Sequence, residues 1–361
     1  MIWTLGRYFF LRYATITAWF LVGIFALVFL IDFTELSSRT SALKNFTVQI
    51  ALAISILRVP MIVQQVIPFI CLFGAMATLV SLNRKYELVI ARAAGISAWQ
   101  FLFPICLAAF VVGLLTIFVL NPIAARGLAR AENIEAHLRE GDLAPPTAFN
   151  VPWIRQKTAD TDTIVGAKMV LNQGLELVDT TFFSFDPEGN IVERRDARRA
   201  YLRDGYWELR DVRRQRDGQQ VETVAEDRVP TNLTPQFVQE RLAQPETIPF
   251  FELPSKIEVA RTFGLKANAF SMQFHSLVAL PMLLVAMTLI AATVSMRFAR
   301  LGQSITMILG GALAGFLLYV VSVLVRAFGN AGFVPPYVAA WLPVVVTLFF
   351  GVTFLLYKED G

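Results

Sequence analysis

Six apolar runs of about 20 residues, the length an α-helix needs to cross the hydrocarbon of a bilayer, constrain this chain more than any other feature. They are Tyr13 to Ile31, Ile62 to Leu82, Phe101 to Leu120, Phe274 to Met296, Ser304 to Val325 and Pro336 to Tyr357. No Asp, Glu, Lys or Arg interrupts any of them. With 55% hydrophobic and only 17% charged residues, and a mean hydropathy of +0.55, the chain is expected to take the bilayer as its solvent. The first run is too long for a signal-peptide core and lacks a small-residue cleavage site, so it is expected to stay in place as an anchor.

The cations near the ends of these runs set the expected sides. Arg7 and Arg12, then Arg84, Lys85 and Arg92, then Arg297 and Arg300, then Lys358 all face the cytoplasm by the positive-inside rule. Both termini are then inside, and Asp32 to Arg58, Asn121 to Gln273 and Arg326 to Pro335 lie outside. Within the first of these external pieces Val48, Leu52 and Ile56 recur at helical spacing. They are expected to lie along the outer interface before Pro60 and Pro68 bend the second span.

The long external piece differs in kind. From Ala148 to Arg228 it carries short runs of Val, Ile, Tyr, Trp and Phe, separated by the turn signals Asp186 to Asn190, Arg203 to Tyr206 and Arg216 to Gln219. Such punctuation predicts hairpins, read here as a β-sandwich or jelly roll. Thr234 before Pro235 predicts one short helix after it, and Pro254 opens another ending at Phe263 and Gly264. The expected fold is therefore membrane α-helical: six transmembrane helices in a 3+3 arrangement, with an inserted periplasmic all-β, jelly-roll-like domain. Its expected parts are residues 1–121 (spans 1 to 3), 122–270 (the β-domain with flanking helices) and 271–361 (spans 4 to 6).

Several function classes are disfavoured. Proton relays, ion-coupled carriers and intramembrane hydrolases need ionisable groups at depth, and the spans hold no Asp, Glu, Lys or Arg. His275, Gln64 and Gln65 sit near span ends; His275 reads as a packed or interfacial residue, with a relay as the other reading. No catalytic set emerges, although Asp32, Glu35 and His137 leave a site at the outer rim open. His137 and His275 are too isolated to predict a metal site, and Cys71 and Cys106 read as small hydrophobes within apolar runs. The formal charge of +4 is too small and scattered for a nucleic-acid surface. No Gly-x-x-x-x-Gly-Lys-Ser/Thr sequence occurs, so the chain is expected to hold no nucleotide cofactor and any ATP to be bound by a partner.

The polar interruption from Asn83 to Gln100 is the exception to this featureless interior. Arg84, Lys85, Glu87 and Arg92 carry the only charges between Arg58 and Arg126. After Tyr86, the pattern Leu88, Val89, Arg92 and then Gly95 predicts one short helix closed by a glycine. Such a helix at a membrane surface suits a groove on another protein; the same residues also suit a basic loop that only fixes topology. In the fifth run, Gly311 and Gly315 strip one helix face of side chains, for close packing within the bundle or for a sliding contact.

The outer end of the first run (Ile31 to Leu36), Ile67 to Phe69, Tyr86 to Ser97, Ser276 to Ser295 and Gly332 to Pro343 together resemble the lipopolysaccharide export permeases of the LptF/LptG family. The chain is more similar to the G-type subunit through ELVIARAAGIS and AAW. The resemblance implies a half-transporter of an ATP-binding-cassette exporter in the bacterial inner membrane. It would pair with an F-type subunit, sit on a dimeric cytoplasmic ATPase and pass lipopolysaccharide to a single-span periplasmic jelly-roll bridge protein. Glu87 would be the carboxylate that meets a basic residue of the ATPase, with Tyr86 and Arg92 beside it. The first and fifth spans would line the cavity and form gates, giving Gly311 and Gly315 a mechanical role. Cations at the outer ends, Arg39, Lys44, Arg126, Arg130 and Arg326, would meet lipid phosphates or anchor their helices at the interface. One departure stands out: Phe29, Asp32 and Glu35 occupy the region where G-type members carry lysines. The contrasting expectation is a membrane-anchored scaffold that only presents the β-domain.

Overall fold

A computed structural model describes residues 2–40, 47–138, 153–157, 162–171, 175–186, 190–216, 221–233, 244–262, 267–295 and 305–359. The short helix predicted at Thr234 and Pro235, the closing Phe263 and Gly264, and Lys44, Arg297 and Arg300 lie outside these residues.

Six helices are long and apolar enough to cross a membrane. In chain order, α1 is Ile2–Thr40, α2 is Val48–Arg84, α3 is the short Glu87–Ala93, and α4 is Ala98–Leu115. A π-turn, Thr116–Leu120, joins α4 to α5, Asn121–Leu138. After the β-domain come α6 (Leu253–Thr262), α7 (Asn268–Ser295), α8 (Ile305–Ala331) and α9 (Pro336–Glu359). At 1.5 Å per residue, the 39 residues of α1 extend well past about 30 Å of hydrocarbon, so its ends project from the bilayer.

Two expectations change. The stretch carrying Val48, Leu52 and Ile56 is the first part of α2 itself, which continues through Pro60 and Pro68 to Arg84. A proline removes one helical hydrogen bond, and here burial of Ile54, Val59, Val63 and Ile67 along the same helix outweighs that loss. The third span likewise runs on beyond Asn121 to Leu138, so the external piece begins as helix.

The main core is built from α1, α2, α4 and α7, through Phe9, Tyr13, Ile70, Leu72, Phe101, Ile105, Leu284 and Ala291. Helices α2 and α7 form its centre. In their most apolar windows 61% of residues are buried, against 6% for α1 and 11% for α8, which leaves those two helices as the open apolar faces of the bundle.

Lipid tails offer no hydrophobic contrast with Leu, so helix association there depends on close packing at small residues. A Cβ on Gly113 of α4 would lie 2.5 Å from Pro281 Cα of α7, and one on Gly127 of α5 would lie 2.5 Å from the Leu57 carbonyl oxygen of α2. Both neighbours are backbone and have no rotamer to yield. Gly113→Val is expected to cost about 1–3 kcal/mol by overpacking, read as a lowered thermal midpoint of the purified protein. Gly23→Val, at an α1 glycine with nothing within 4 Å of the added carbon, should leave the midpoint unchanged.

The inserted domain is all-β, as expected. Strands β1 (Trp153–Lys157), β2 (Asp162–Leu171), β3 (Glu176–Phe185), β4 (Ile191–Arg203), β5 (Tyr206–Arg216) and β6 (Glu222–Pro230) form one antiparallel sheet in chain order. Gly205, at φ +84°, completes the turn between β4 and β5, where the sequence placed a hairpin. A line of irregularity crosses the sheet. Asp179 and Asp211 have φ of 50° and 54°, and the pairing passes directly from Val178↔Arg199 to Thr180↔Ala197 and from Arg210↔Glu226 to Val212↔Val224.

One unpaired residue at the same level in each of β2 to β6 (Lys168, Asp179, Arg198, Asp211 and Ala225) exchanges the faces of the pleat. Leu177 and Phe182, Leu202 and Ala197, and Trp207 and Val212 are thereby all buried in one core despite their opposite parity. The edges also approach each other at one end, where the Gln156 amide of β1 donates to Pro230 O at 3.2 Å and accepts from the Thr231 hydroxyl at 2.5 Å. On the exposed side, Arg203 and Arg210 donate to Glu208 and hold its carboxyl below its usual pKa.

Candidate functional site

The polar segment between the second and third spans begins at Tyr86, whose φ of 59° turns the chain sharply out of α2. The seven residues of α3 follow, with Glu87 in the first turn and Arg92 in the last, each at the end of the helix dipole that favours its charge. Gly95 has φ +82°. Its N–H donates to Arg92 O, while the Ile96 N–H donates to Ala91 O, the paired pattern that closes a helix on a left-handed glycine. Ser97 and Gln100 then form a reciprocal capping box that starts α4.

Only one side of α3 touches the bundle. Leu88 and Ala91 are buried, while Tyr86, Val89 and Ile90 are exposed. The Tyr8 hydroxyl of α1 donates to Glu87 Oε1 at 3.2 Å, and the Arg92 guanidinium lies 6.0 Å from the Phe101 ring centroid. The result is a fixed apolar ridge with a carboxylate at one end and a guanidinium at the other. It offers both area and directional polar contacts to a groove.

The predicted outer-rim cations lie on three helices. Arg39, near the end of α1, pairs with Glu35 at 2.5 Å, both exposed. Arg126 and Arg130 are exposed on α5, one turn apart, and Arg126 stands 4.0 Å from Glu252. Arg326 is exposed on α8. Gly311 and Gly315 face inward rather than toward open lipid: a Cβ on Gly311 would meet Met76 and Val294, and one on Gly315 would meet Leu72. They let α8 pack on its own bundle.

Two arrangements escaped the sequence reading. Arg58 of α2 joins Asp32 of α1, at 3.8 Å, to Glu135 of α5, all three largely buried. Asp32, noted above as an acid at the outer end of the first span, is therefore a structural partner. Its Oδ2 has no hydrogen-bond partner among the described residues. Asp32 and Glu35 are thus both engaged by arginines, which removes support for a rim active site; the His137 side chain lies outside the described residues.

The second is Asn121, fully buried just after the π-turn. Its amide donates to Gln64 Oε1 at 3.3 Å, and its Oδ1 accepts from the Phe250 N–H at 2.8 Å. One side chain thus ties α2 and α5 to the segment returning from the β-domain. Asn121→Leu is expected to lower stability by about 1–3 kcal/mol, because the Phe250 N–H loses its acceptor. Thermal unfolding of the purified variant checks this.

Three spans, an inserted β-domain and three further spans, with a short helix between the second and third spans, define a polytopic α-helical membrane protein. Comparison with protein-family models matches residues 7–358 to the lipopolysaccharide export system permease LptF/LptG. The chain belongs to this family, and is a multi-pass inner-membrane subunit of lipopolysaccharide transport. Comparison with curated proteins finds no match.

Proposed function

We propose that this chain is the G-type half of the exporter, working with an F-type half above a dimeric cytoplasmic ATPase. The G-type assignment rests on the ELVIARAAGIS and AAW segments. The observation that carries the coupling is α3, held by Leu88 and Ala91 while Tyr86, Ile90, Glu87 and Arg92 remain available to a groove. In this reading the α3 end and both termini are cytoplasmic, and the β-domain is periplasmic. It hands lipopolysaccharide to a single-span jelly-roll bridge protein. The open faces of α1 and α8 meet the partner half and enclose acyl chains. Gly311 and Gly315 set the seat of α8, and Arg39, Lys44, Arg126, Arg130 and Arg326 meet lipid phosphates.

Energetics supports a split between cavity and motor. Removing acyl chains from hydrocarbon costs about 0.8 kcal/mol per CH₂, which calls for an apolar enclosure and an external energy source. The uncharged spans suit the first. An ATPase acting on α3 supplies the second, moving α2 and α4 as rigid bodies. Co-purification of the tagged chain from native membranes tests the assembly. An ATPase and a second permease half of the same layout should accompany it, and a chain that purifies alone contradicts the reading in favour of a scaffold.

A further inference from the structure

A cavity of about 320 Å³ opens where α6, α7 and α9 meet, lined by Arg261, Ala267, Asn268, Ser271, His275, Pro336 and Tyr337. It lies beside the first turns of two helices, since α7 begins at Asn268 and α9 at Pro336. The N–H groups of a first turn have no intrahelical acceptor, and the helix dipole places partial positive charge there. Arg261, exposed in the last turn of α6, brings a full positive charge and makes no ion pair among the described residues.

The decisive group is Ser271. It is 6% exposed, it lines the cavity, and its hydroxyl has no hydrogen-bond partner among the described residues. Asn268 and Tyr337 line the same cavity, and neither side chain has a hydrogen-bond partner among the described residues. Ring contacts at 5.4 Å from Phe274 and 6.4 Å from Tyr337 place the His275 imidazole in the same wall. No carboxylate lines the cavity.

We propose that this cavity binds a phosphate group, held by the Arg261 guanidinium, the Ser271 hydroxyl and the two helix N-termini. Its place at the ends of two spans favours the headgroup of an anionic phospholipid; free phosphate shares the chemistry. A bound headgroup would clamp α6, which leads from the β-domain, onto α7 and α9. The site is on α6, α7 and α9, away from α3 and from the open faces of α1 and α8, and does not depend on the exporter reading.

Native mass spectrometry of the delipidated protein, with whatever partners it carries, tests this on titration with phosphatidylglycerol, with diacylglycerol of the same chains, and with inorganic phosphate. Saturable retention of phosphatidylglycerol but not diacylglycerol is expected. Arg261→Ala should weaken it about tenfold or more and Ser271→Ala about threefold or more. Arg261 is exposed and Ser271→Ala removes one atom, so both variants should fold, as unchanged thermal midpoints without lipid would verify. Competition by millimolar inorganic phosphate identifies a free-phosphate site of the same chemistry. Equal retention of diacylglycerol, or retention of phosphatidylglycerol unaffected by both substitutions, overturns the proposal.

Discussion

Glu87→Lys is expected to weaken the hold of this chain on the proposed partner ATPase about 100-fold or more, and to abolish ATP-driven lipopolysaccharide release at ordinary ATPase concentrations. The substitution removes a carboxylate from the end of α3 and puts a like charge opposite the basic residue proposed to receive it. Losing one partner of a desolvated, hydrogen-bonded charge pair costs about 2–5 kcal/mol, and each 1.4 kcal/mol is tenfold in affinity. The fold should survive, because Leu88 and Ala91 hold α3 against the bundle and the lost helix-terminus interaction is worth only about 0.3–1 kcal/mol. Tyr8→Phe removes only the hydroxyl that donates to Glu87, so it should reduce affinity far less. Equal binding of wild type and Glu87→Lys, measured by titrating the ATPase onto the purified permease, would remove Glu87 from the coupling mechanism.

Arg58→Leu is expected to cause the largest loss of stability among single substitutions in the membrane half, about 3–5 kcal/mol. Arg58 is the shared partner of Asp32 and Glu135, whose side chains are 10% and 12% exposed. Removing it takes from two largely buried carboxylates the cation they share. Neutralising both, in the triple variant Arg58→Leu, Asp32→Asn and Glu135→Gln, should recover most of the loss. A single variant as stable as wild type in thermal or denaturant unfolding would show that the three helices do not depend on this cluster.

The spans were legible because a bilayer accepts only long uninterrupted apolar helices, and that demand is written directly in composition. The coupling helix was legible for a local reason: Gly95 supplies the left-handed residue that ends it, and Leu88 marks the buried side. Asn121 and Pro122, by contrast, read as the end of the third span. The helix passes through them because the π-turn shifts the pattern, with the Asn121 N–H donating to Thr116 O five residues back, just before proline removes a donor.

The Arg58 cluster was illegible for another reason. Its members come from positions 32, 58 and 135, and only the packing of α1, α2 and α5 brings them together. Turn residues announced the hairpins, but the fold line through Asp179 and Asp211 was hidden. Non-glycine residues at positive φ carry no strong sequence signature, and strand alternation on either side reads as one continuous strand. Gly311 and Gly315 show the limit of motif reading: the spacing signalled close approach, and only the structure identified Leu72, Met76 and Val294 as the neighbours.

The central claim is that this chain extracts lipopolysaccharide in response to ATP hydrolysed by a partner. It is tested most directly by reconstituting the purified permease pair and ATPase in vesicles containing lipopolysaccharide, and measuring its ATP-dependent transfer to the soluble part of a bridge protein. Transfer that requires ATP, and that fails when this chain carries Glu87→Lys while the ATPase still hydrolyses ATP, is the predicted result. Transfer that proceeds equally without this chain, or equally with Glu87→Lys, would contradict it.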